Sequence, residues 1–425
     1  MVRLADVFEQ VAGSEAPVRF RAYDGSSAGR PDAEITMVVR TPVAVNYLAQ
    51  APGALGLARA YVSGHLDLEG DMYTALASMW DMASSDEIPL SQRLKMLRAV
   101  GWVKLVNRVP PPPQEMRRTR LLGRGLRRHT KGRDAEAISH HYDVSNAFYE
   151  MVLGPSMAYT CAAYPAEDAT LEQAQFHKHD LVARKLGLTE GMRLLDVGCG
   201  WGGMVMHAAE HYGVRAIGVT LSKQQAEWAQ KTIAERGLGE LAEVRHLDYR
   251  DVPEGNFDAV SSIGLTEHIG KANLPAYFSS LYAKLRPGGR LLNHCITRAR
   301  DDEPSMNADG VINRYVFPDG ELEAPGYLVS RMTDAGFEVR HLENLREHYA
   351  KTLTHWCANL DERWDDAVAE VGRGTARVWR LYMAGSRLGF ERNVVQLHQI
   401  LGVKLGERAA SGFELRPRFE PDTGG

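Results

Sequence analysis

Four glycines, Gly198, Gly200, Gly202 and Gly203, directly follow the apolar run Leu194–Val197. Glycine lets a backbone turn sharply and lets a ligand lie close to the main chain. The spacing Gly198-x-Gly200-x-x-Gly203 satisfies the dinucleotide fingerprint, a weak signal when it stands alone. A nicotinamide site also needs Asp or Glu about 20 residues on, at the end of the second strand, to hold a ribose. Here that strand ends Gly218-Val219-Thr220-Leu221-Ser222 with no carboxylate, and Gln225 follows in the next helix. Asp196, just before the first glycine, suits the cationic amino group of S-adenosylmethionine, and Asp248, after the third strand, sits where an adenine would lie. The loop therefore reads as the floor of an S-adenosylmethionine site. Further along, Glu267 and His294 fall at the ends of neighbouring strand candidates, where an open α/β sheet places its chemistry. Each also has a plain reading. His294 fits a satisfied core histidine, Glu267-His268 the start of a helix, Cys161 an inert buried thiol, and Tyr349 core packing.

The elements that position these residues follow from hydrophobic period. Strand candidates Arg193–Val197, Val214–Val219, Val244–Leu247, Ala259–Ile263 and Gly289–Cys295 alternate with amphipathic stretches such as Lys223–Arg236 and Leu274–Leu285. Alternating strand and helix predicts a parallel, doubly wound α/β sheet. Phe337–Leu342 would add an antiparallel edge, and Arg377–Leu405 reads as a helical tail. Residues 1–108 mix short strands (Val18–Tyr23, Ile35–Arg40) with helices (Val43–Leu48, Tyr73–Met82) around a glycine-rich turn at Tyr61–Asp71, predicting a small α+β domain. Residues 109–137 read as a linker. Pro110 to Pro113 favour an extended spacer, and eight basic residues between Arg117 and Arg133 face only Asp134. That run is compatible with a solvated linker. It is equally compatible with an amphipathic surface helix on anionic lipid, since Leu121, Leu122 and Leu126 sit among the arginines. Nucleic-acid binding lacks any motif or interleaved aromatics. Residues 138–425 form the third region.

Composition sets the outer limits. The chain has 425 residues, is 44% hydrophobic and carries a net charge of −4, so the whole molecule is no polyanion binder. Its four cysteines form no CxxC pair, which speaks against a metal site or disulfide framework and fits a reducing cytoplasm. No apolar run approaches a membrane span, and the N-terminus has no signal-peptide pattern. Membrane contact is expected from the surface only.

Several blocks, in order, resemble the cyclopropane-fatty-acid synthases: His141–Asn146, Pro155–Ala162, the glycine loop, Gly218–Lys223, Ser262–Gly270 and Arg286–Gly289. The N-terminal Gly56–Asp71 region is similar as well. The resemblance implies a Rossmann-like class I methyltransferase sheet at 138–425 and a lipid-interaction role for 1–108. It implies transfer of a methyl group from S-adenosylmethionine to a cis double bond of a phospholipid acyl chain. The family's cofactor residues map onto Tyr159, Thr160, Gly198, Gly200, Thr220, Leu221 and Gln225. Its bicarbonate site maps onto Cys161, Glu267, His294, Ile296 and Tyr349, with Tyr142 nearby. Two departures stand out. Thr266 replaces the usual aromatic, and Asn293 and Cys295 flank His294, so the surroundings of the double bond are expected to differ. Over its length the chain looks most similar to an actinobacterial branch that forms a 10-methylene chain from oleoyl lipid, which a flavin-dependent reductase then converts to the 10-methyl form. Cyclopropane formation is the alternative. A homodimer, peripheral on the inner face of the membrane, is expected.

The chemistry explains why such residues would be gathered. An alkene is a poor nucleophile and must meet the sulfonium methyl in line with water excluded. Tyr142 and Tyr349 could face the resulting positive charge with their rings. A buried bicarbonate needs donors, expected from His294, Tyr349, Cys161 and the backbone N–H groups near Cys161 and Ile296, while Glu267 would accept its proton. Moving about 16 methylenes into water would cost ~13 kcal/mol at ~0.8 each. An apolar channel is therefore required, and the tail around Met383 and Phe390 is a candidate lining.

Overall fold

The computed structural model describes residues 3–85, 108–116, 144–302, 310–317 and 320–419. Tyr142 and the basic run Arg117–Arg133 lie outside the described residues. The chain divides into two compact units. One comprises residues 1–120, 307–318 and 360–388, and the other 121–306, 319–359 and 389–425. The division differs from the sequence expectation, because 307–318 and 360–388 join the N-terminal unit instead of the region 138–425.

The first unit carries a four-stranded sheet in the order β2-β1-β3-β4: β1 Val18–Ala22, β2 Ser27–Ala28, β3 Ile35–Val39 and β4 Leu66–Glu69. Val18, Phe20, Ile35, Met37, Val39, Leu66 and Leu68 are buried, the period-2 pattern of a sheet with one covered face. β4 lies within the stretch expected to be only a turn, and it pairs antiparallel with β3. The proline segment is no free spacer. Tyr47 donates to the Pro110 carbonyl at 2.9 Å, and Glu115 is fully buried between Arg59 and Arg314.

The second unit is built on a seven-stranded sheet in the order β10-β11-β9-β8-β5-β6-β7. Its strands are β5 Arg193–Val197, β6 Arg215–Thr220, β7 Ala242–His246, β8 Phe257–Ile263, β9 Leu285–Arg298, β10 Glu338–Asn344 and β11 Val395–Val403. β5 to β9 run parallel, and β11 is antiparallel to both β9 and β10, so the edge strand β10 runs with β5 to β9 and the antiparallel strand is β11, not the expected edge at Phe337–Leu342. One face packs under helices Leu171–Leu186, Gly203–Tyr212 and Lys223–Glu235, and the other under Leu274–Lys284 and Pro325–Asp334. This is the expected doubly wound, Rossmann-like sheet. The tail expectation was wrong in part: helix Arg373–Glu391 ends before β11, which inserts between β9 and β10. β11 is buried without a break from Leu397 to Val403, so it lacks the alternation that marks a half-buried strand.

Helix Leu171–Leu186 matters most for the site. Thr170 and Gln173 form a reciprocal capping box at its start, and Gly187 closes it in the left-handed region at φ 68°. Fixed at both ends, the helix presents Gln175, Lys178 and Lys185, all buried, toward the sheet. Among the described residues, no helix is long and apolar enough to cross a membrane.

Candidate active site

Gly198 and Gly200 both have positive φ, at 73° and 54°, a region closed to most side chains. A Cβ on Gly198 would meet Leu265 at 3.0 Å, whereas one on Gly200 would meet nothing within 4 Å. The open space beside Gly200 is what a ligand lying against backbone requires. Asp196 is buried in β5, and its carboxylate accepts a 2.6 Å bond from the Ser261 hydroxyl of β8. Burial pushes its pKa up to about 7, with Ser261 and Lys178 pulling it down. A cationic amino group would complete the pairing of this carboxylate.

Thr220, Leu221 and Gln225 form one connected turn. The Thr220 hydroxyl donates to Gln225 Oε1 at 2.8 Å and accepts from the Ser222 N–H at 3.2 Å, while Ser222 caps helix Lys223–Glu235. The Leu221 carbonyl lies 3.0 Å from His246 Nε2. Asp248 is engaged otherwise than expected. Both of its oxygens accept from the Arg250 side chain, at 2.8 and 2.6 Å, so the carboxylate assigned to adenine is already paired with a guanidinium.

On the other side of the loop, the Thr160 hydroxyl accepts from Lys178 Nζ at 3.0 Å and its carbonyl from Gln175 Nε2 at 2.9 Å. Lys178 is buried, which lowers its pKa to about 8. Sequence reasoning missed it, since an amphipathic helix gives no sign which lysine turns inward. Ring contacts run from Trp201 in the glycine loop to Tyr149, Tyr159, Trp356, Tyr349 and Phe390, with centroids 4.5 to 6.0 Å apart. Tyr349 and Tyr159 thus belong to one aromatic wall, and Phe390 lies tilted at 34° against Tyr349.

Glu267 follows β8, His294 lies on the neighbouring strand β9, and both are buried. Glu267 sits in a single turn, Thr266–His268, and its Oε1 accepts from the Ile296 N–H at 2.7 Å. Burial raises its pKa to about 7. His294 is fully buried on β9, and burial with Lys178 and Lys185 nearby keeps it far below the usual histidine range, hence neutral. Glu267 Oε2 and His294 Nε2 are both buried with no hydrogen-bond partner among the described residues. Buried polar atoms are seldom left so without reason.

Three expected anion donors are already in use. The Ile296 N–H serves Glu267, and the Ala162 N–H donates to the Thr352 hydroxyl at 3.0 Å. Cys161 is fully buried and its thiol donates to the Ala162 carbonyl at 3.0 Å. Burial pushes its pKa up, so it stays a thiol and is no nucleophile.

The mycolic acid cyclopropane synthetase family matches residues 129–400. The chain belongs to this family. It is an S-adenosylmethionine-dependent methyltransferase of the fatty acid methyltransferase and cyclopropane synthase group. A probable fatty acid methyltransferase of Mycobacterium tuberculosis is 54% identical over 99% of this chain and 98% of its own length. A probable fatty acid methyltransferase of Pseudomonas putida is 41% identical over 91% of this chain and 92% of its own. Among solved structures, the cyclopropane synthase MmaA2 from Mycobacterium tuberculosis aligns with a TM-score of 0.61 at 32% identity, covering 64% of this chain and 98% of that one. The mycolic acid cyclopropane synthase CmaA1 complexed with SAH and CTAB aligns with a TM-score of 0.60 at 32% identity, again over 64% of this chain and 98% of that one. The family departures Thr266, Asn293 and Cys295 prove to be one cluster. The Thr266 hydroxyl donates to Asn293 Oδ1 at 2.6 Å, and Asn293 Nδ2 lies 3.3 Å from Cys295 Sγ.

Proposed function

We propose that the enzyme adds the methyl group of S-adenosylmethionine at C10 of a phospholipid-bound oleoyl chain, giving a 10-methylene chain, the precursor of 10-methylstearate. The observation that carries this reading is two buried side-chain atoms without a partner among the described residues, Glu267 Oε2 and His294 Nε2, on residues linked through β9, where Glu267 accepts from the Ile296 N–H two residues beyond His294. Relatives named fatty acid methyltransferases over nearly the whole chain support a lipid acceptor.

S-adenosylmethionine, when bound, supplies an electrophilic methyl group. Thr160, Gly198, Gly200, Thr220, Leu221 and Gln225 would hold it, with Asp196 facing its amino group. The chain's own residues then have three tasks. The wall of Tyr159, Trp356, Tyr349 and Phe390 excludes water, and the Tyr349 ring stabilises positive charge on the acyl chain by about 2 kcal/mol if desolvated. His294 and Glu267 hold a small anion between a donor and an acceptor. Both orphaned atoms fit bicarbonate, which would supply a base there. Glu267, with a pKa near 7, takes up the proton and passes it on.

Loss of that proton from the added methyl with ring closure gives cyclopropane, and loss after a hydride shift gives the exocyclic methylene. The M. tuberculosis relative, a probable fatty acid methyltransferase similar end to end, supports placement in the actinobacterial branch, from which the methylene outcome is proposed. The product would pass to a flavin-dependent reductase. The protein would act as a peripheral homodimer on the inner membrane face, with the N-terminal unit and basic run meeting anionic headgroups. Purified enzyme, S-adenosylmethionine and oleoyl phosphatidylglycerol vesicles test the proposal. Gas chromatography with mass spectrometry should give a chain heavier by one CH2 that takes up hydrogen under mild catalytic reduction. A product of that mass that resists reduction is the cyclopropane. No lipid product overturns the substrate assignment.

A further inference from the structure

We infer that Gln399 is a positioning residue that fixes the tautomer of His294, holding Nε2–H as a neutral donor into the reaction centre. The inference rests on the proposed role of His294 as an anion donor. It begins with register. His294 on β9 lies directly opposite Gln399 on β11, and Gln399 lies directly opposite Glu343 on β10. Residues opposite each other across adjacent strands project on the same face, so these three form a row across the sheet. Lys185, fully buried near the end of helix Leu171–Leu186, closes over the row.

The hydrogen bonds have only one self-consistent direction. Lysine has donors and no acceptor. Lys185 Nζ donates to Gln399 Oε1 at 2.7 Å and pairs with the Glu343 carboxylate. The amide oxygen is thereby committed to Lys185, and the amide nitrogen must face the histidine. Gln399 Nε2 lies 3.2 Å from His294 Nδ1. An amide nitrogen only donates, so Nδ1 must accept and the ring proton must sit on Nε2. That atom is buried with no partner among the described residues. A lone histidine next to a flexible amide could take either tautomer. Here the ammonium removes the choice, because reversing the amide would aim its NH2 at an ammonium and its oxygen at the ring.

The arrangement gives a donor without a charge. An imidazolium would bind an anion more tightly and would also repel a sulfonium nearby. A neutral Nε2–H can orient a small anion while leaving its basicity available. Gln399 is itself fully buried, which is costly for an amide unless both ends are satisfied.

The test reads the ring directly. In protein carrying 15N-labelled histidine, long-range proton–nitrogen spectra at neutral pH should show His294, assigned by its disappearance in His294→Gln, as the Nε2–H tautomer. Gln399→Glu places a carboxylate against Nδ1 and should move the proton to Nδ1 or protonate the ring. Methyl transfer should fall about 10- to 100-fold, the scale on which partners that orient a histidine act. Its bicarbonate requirement should rise, with S-adenosylmethionine binding unchanged. An Nδ1–H tautomer in the wild-type protein overturns the inference whatever the variants do. A fully active His294→Gln instead overturns the reading of His294 on which it rests, and the spectrum still reports the tautomer.

Discussion

The Thr266 hydroxyl donates to the Asn293 side-chain oxygen at 2.6 Å, joining the turn that carries Glu267 to the strand that carries His294. By sequence, both residues are expected departures from the family pattern. Asn293 and Cys295 alternate with His294 along β9, so they project on the opposite face of the sheet, where Cys295 packs in the core beneath helix Leu274–Lys284. Asn293 therefore lies on the face of β9 opposite His294, where its bond to Thr266 braces the Glu267 turn.

The brace predicts coupling. Thr266→Val and Asn293→Leu should each lower stability by about 1–3 kcal/mol, since each leaves a buried polar partner unsatisfied. The double variant should lose less than the sum. Denaturant melts of the four proteins measure this, and strict additivity would show that the bond is not shared as described.

Glu267→Gln should abolish turnover while keeping cofactor affinity, and should make the free protein more stable above neutral pH. The sign follows from linkage. Burial raises the folded-state pKa from its ordinary value of 4.5 to about 7. The folded state then holds the proton more tightly, and wild-type stability falls as pH rises from below the unfolded value through 7. The amide cannot ionise, so its advantage should be absent near pH 4, grow between about 4.5 and 7, and level off on the order of 1–3 kcal/mol. Thermal melts across that range check it. A constant difference at every pH contradicts a buried, titrating Glu267.

Asp196 should couple cofactor binding to proton release. Its pKa near 7 in the free protein arises from burial, and an ammonium placed against it would drive the proton off. Calorimetry at pH 6.5 in buffers of different ionisation enthalpy should therefore show net release, and Asp196→Asn should reduce it. Heats independent of buffer would remove Asp196 from the amino-group site.

Glu115→Gln should destabilise the N-terminal unit by about 3 kcal/mol, because it leaves two mostly buried guanidiniums without their shared anion. Arg59 Nε lies 2.6 Å and Arg314 Nε 2.9 Å from that carboxylate. A denaturant midpoint equal to wild type would mean that the proline segment contributes nothing to this unit.

Much of the second unit was legible from period alone. β5 to β9 lie within a few residues of their expected positions because each is an apolar run bounded by turn signals. The turn of the glycine loop and the Thr220–Gln225 turn were legible because local spacing encodes them. β11 was not. It is buried on both faces and carries His398 and Gln399, so neither alternation nor composition marks it as a strand. With β11 unread, the row from His294 through Gln399 to Glu343 was invisible, and so was Lys185 above it. Lys178 and the Thr352 cap on Ala162 were hidden for a similar reason. Which polar side chain of a helix turns inward is decided by tertiary packing.

Under the proposed function, the enzyme adds a methyl group to a lipid double bond and then removes a proton from that same methyl. S-adenosylmethionine carrying a CD3 group, supplied with oleoyl phosphatidylglycerol vesicles, tests it most directly. Mass spectrometry of the product chain should find two deuterium atoms on the new carbon, and Glu267→Gln should form no such product. A chain that retains all three deuterium atoms, or label found only in a soluble acceptor, would contradict the account.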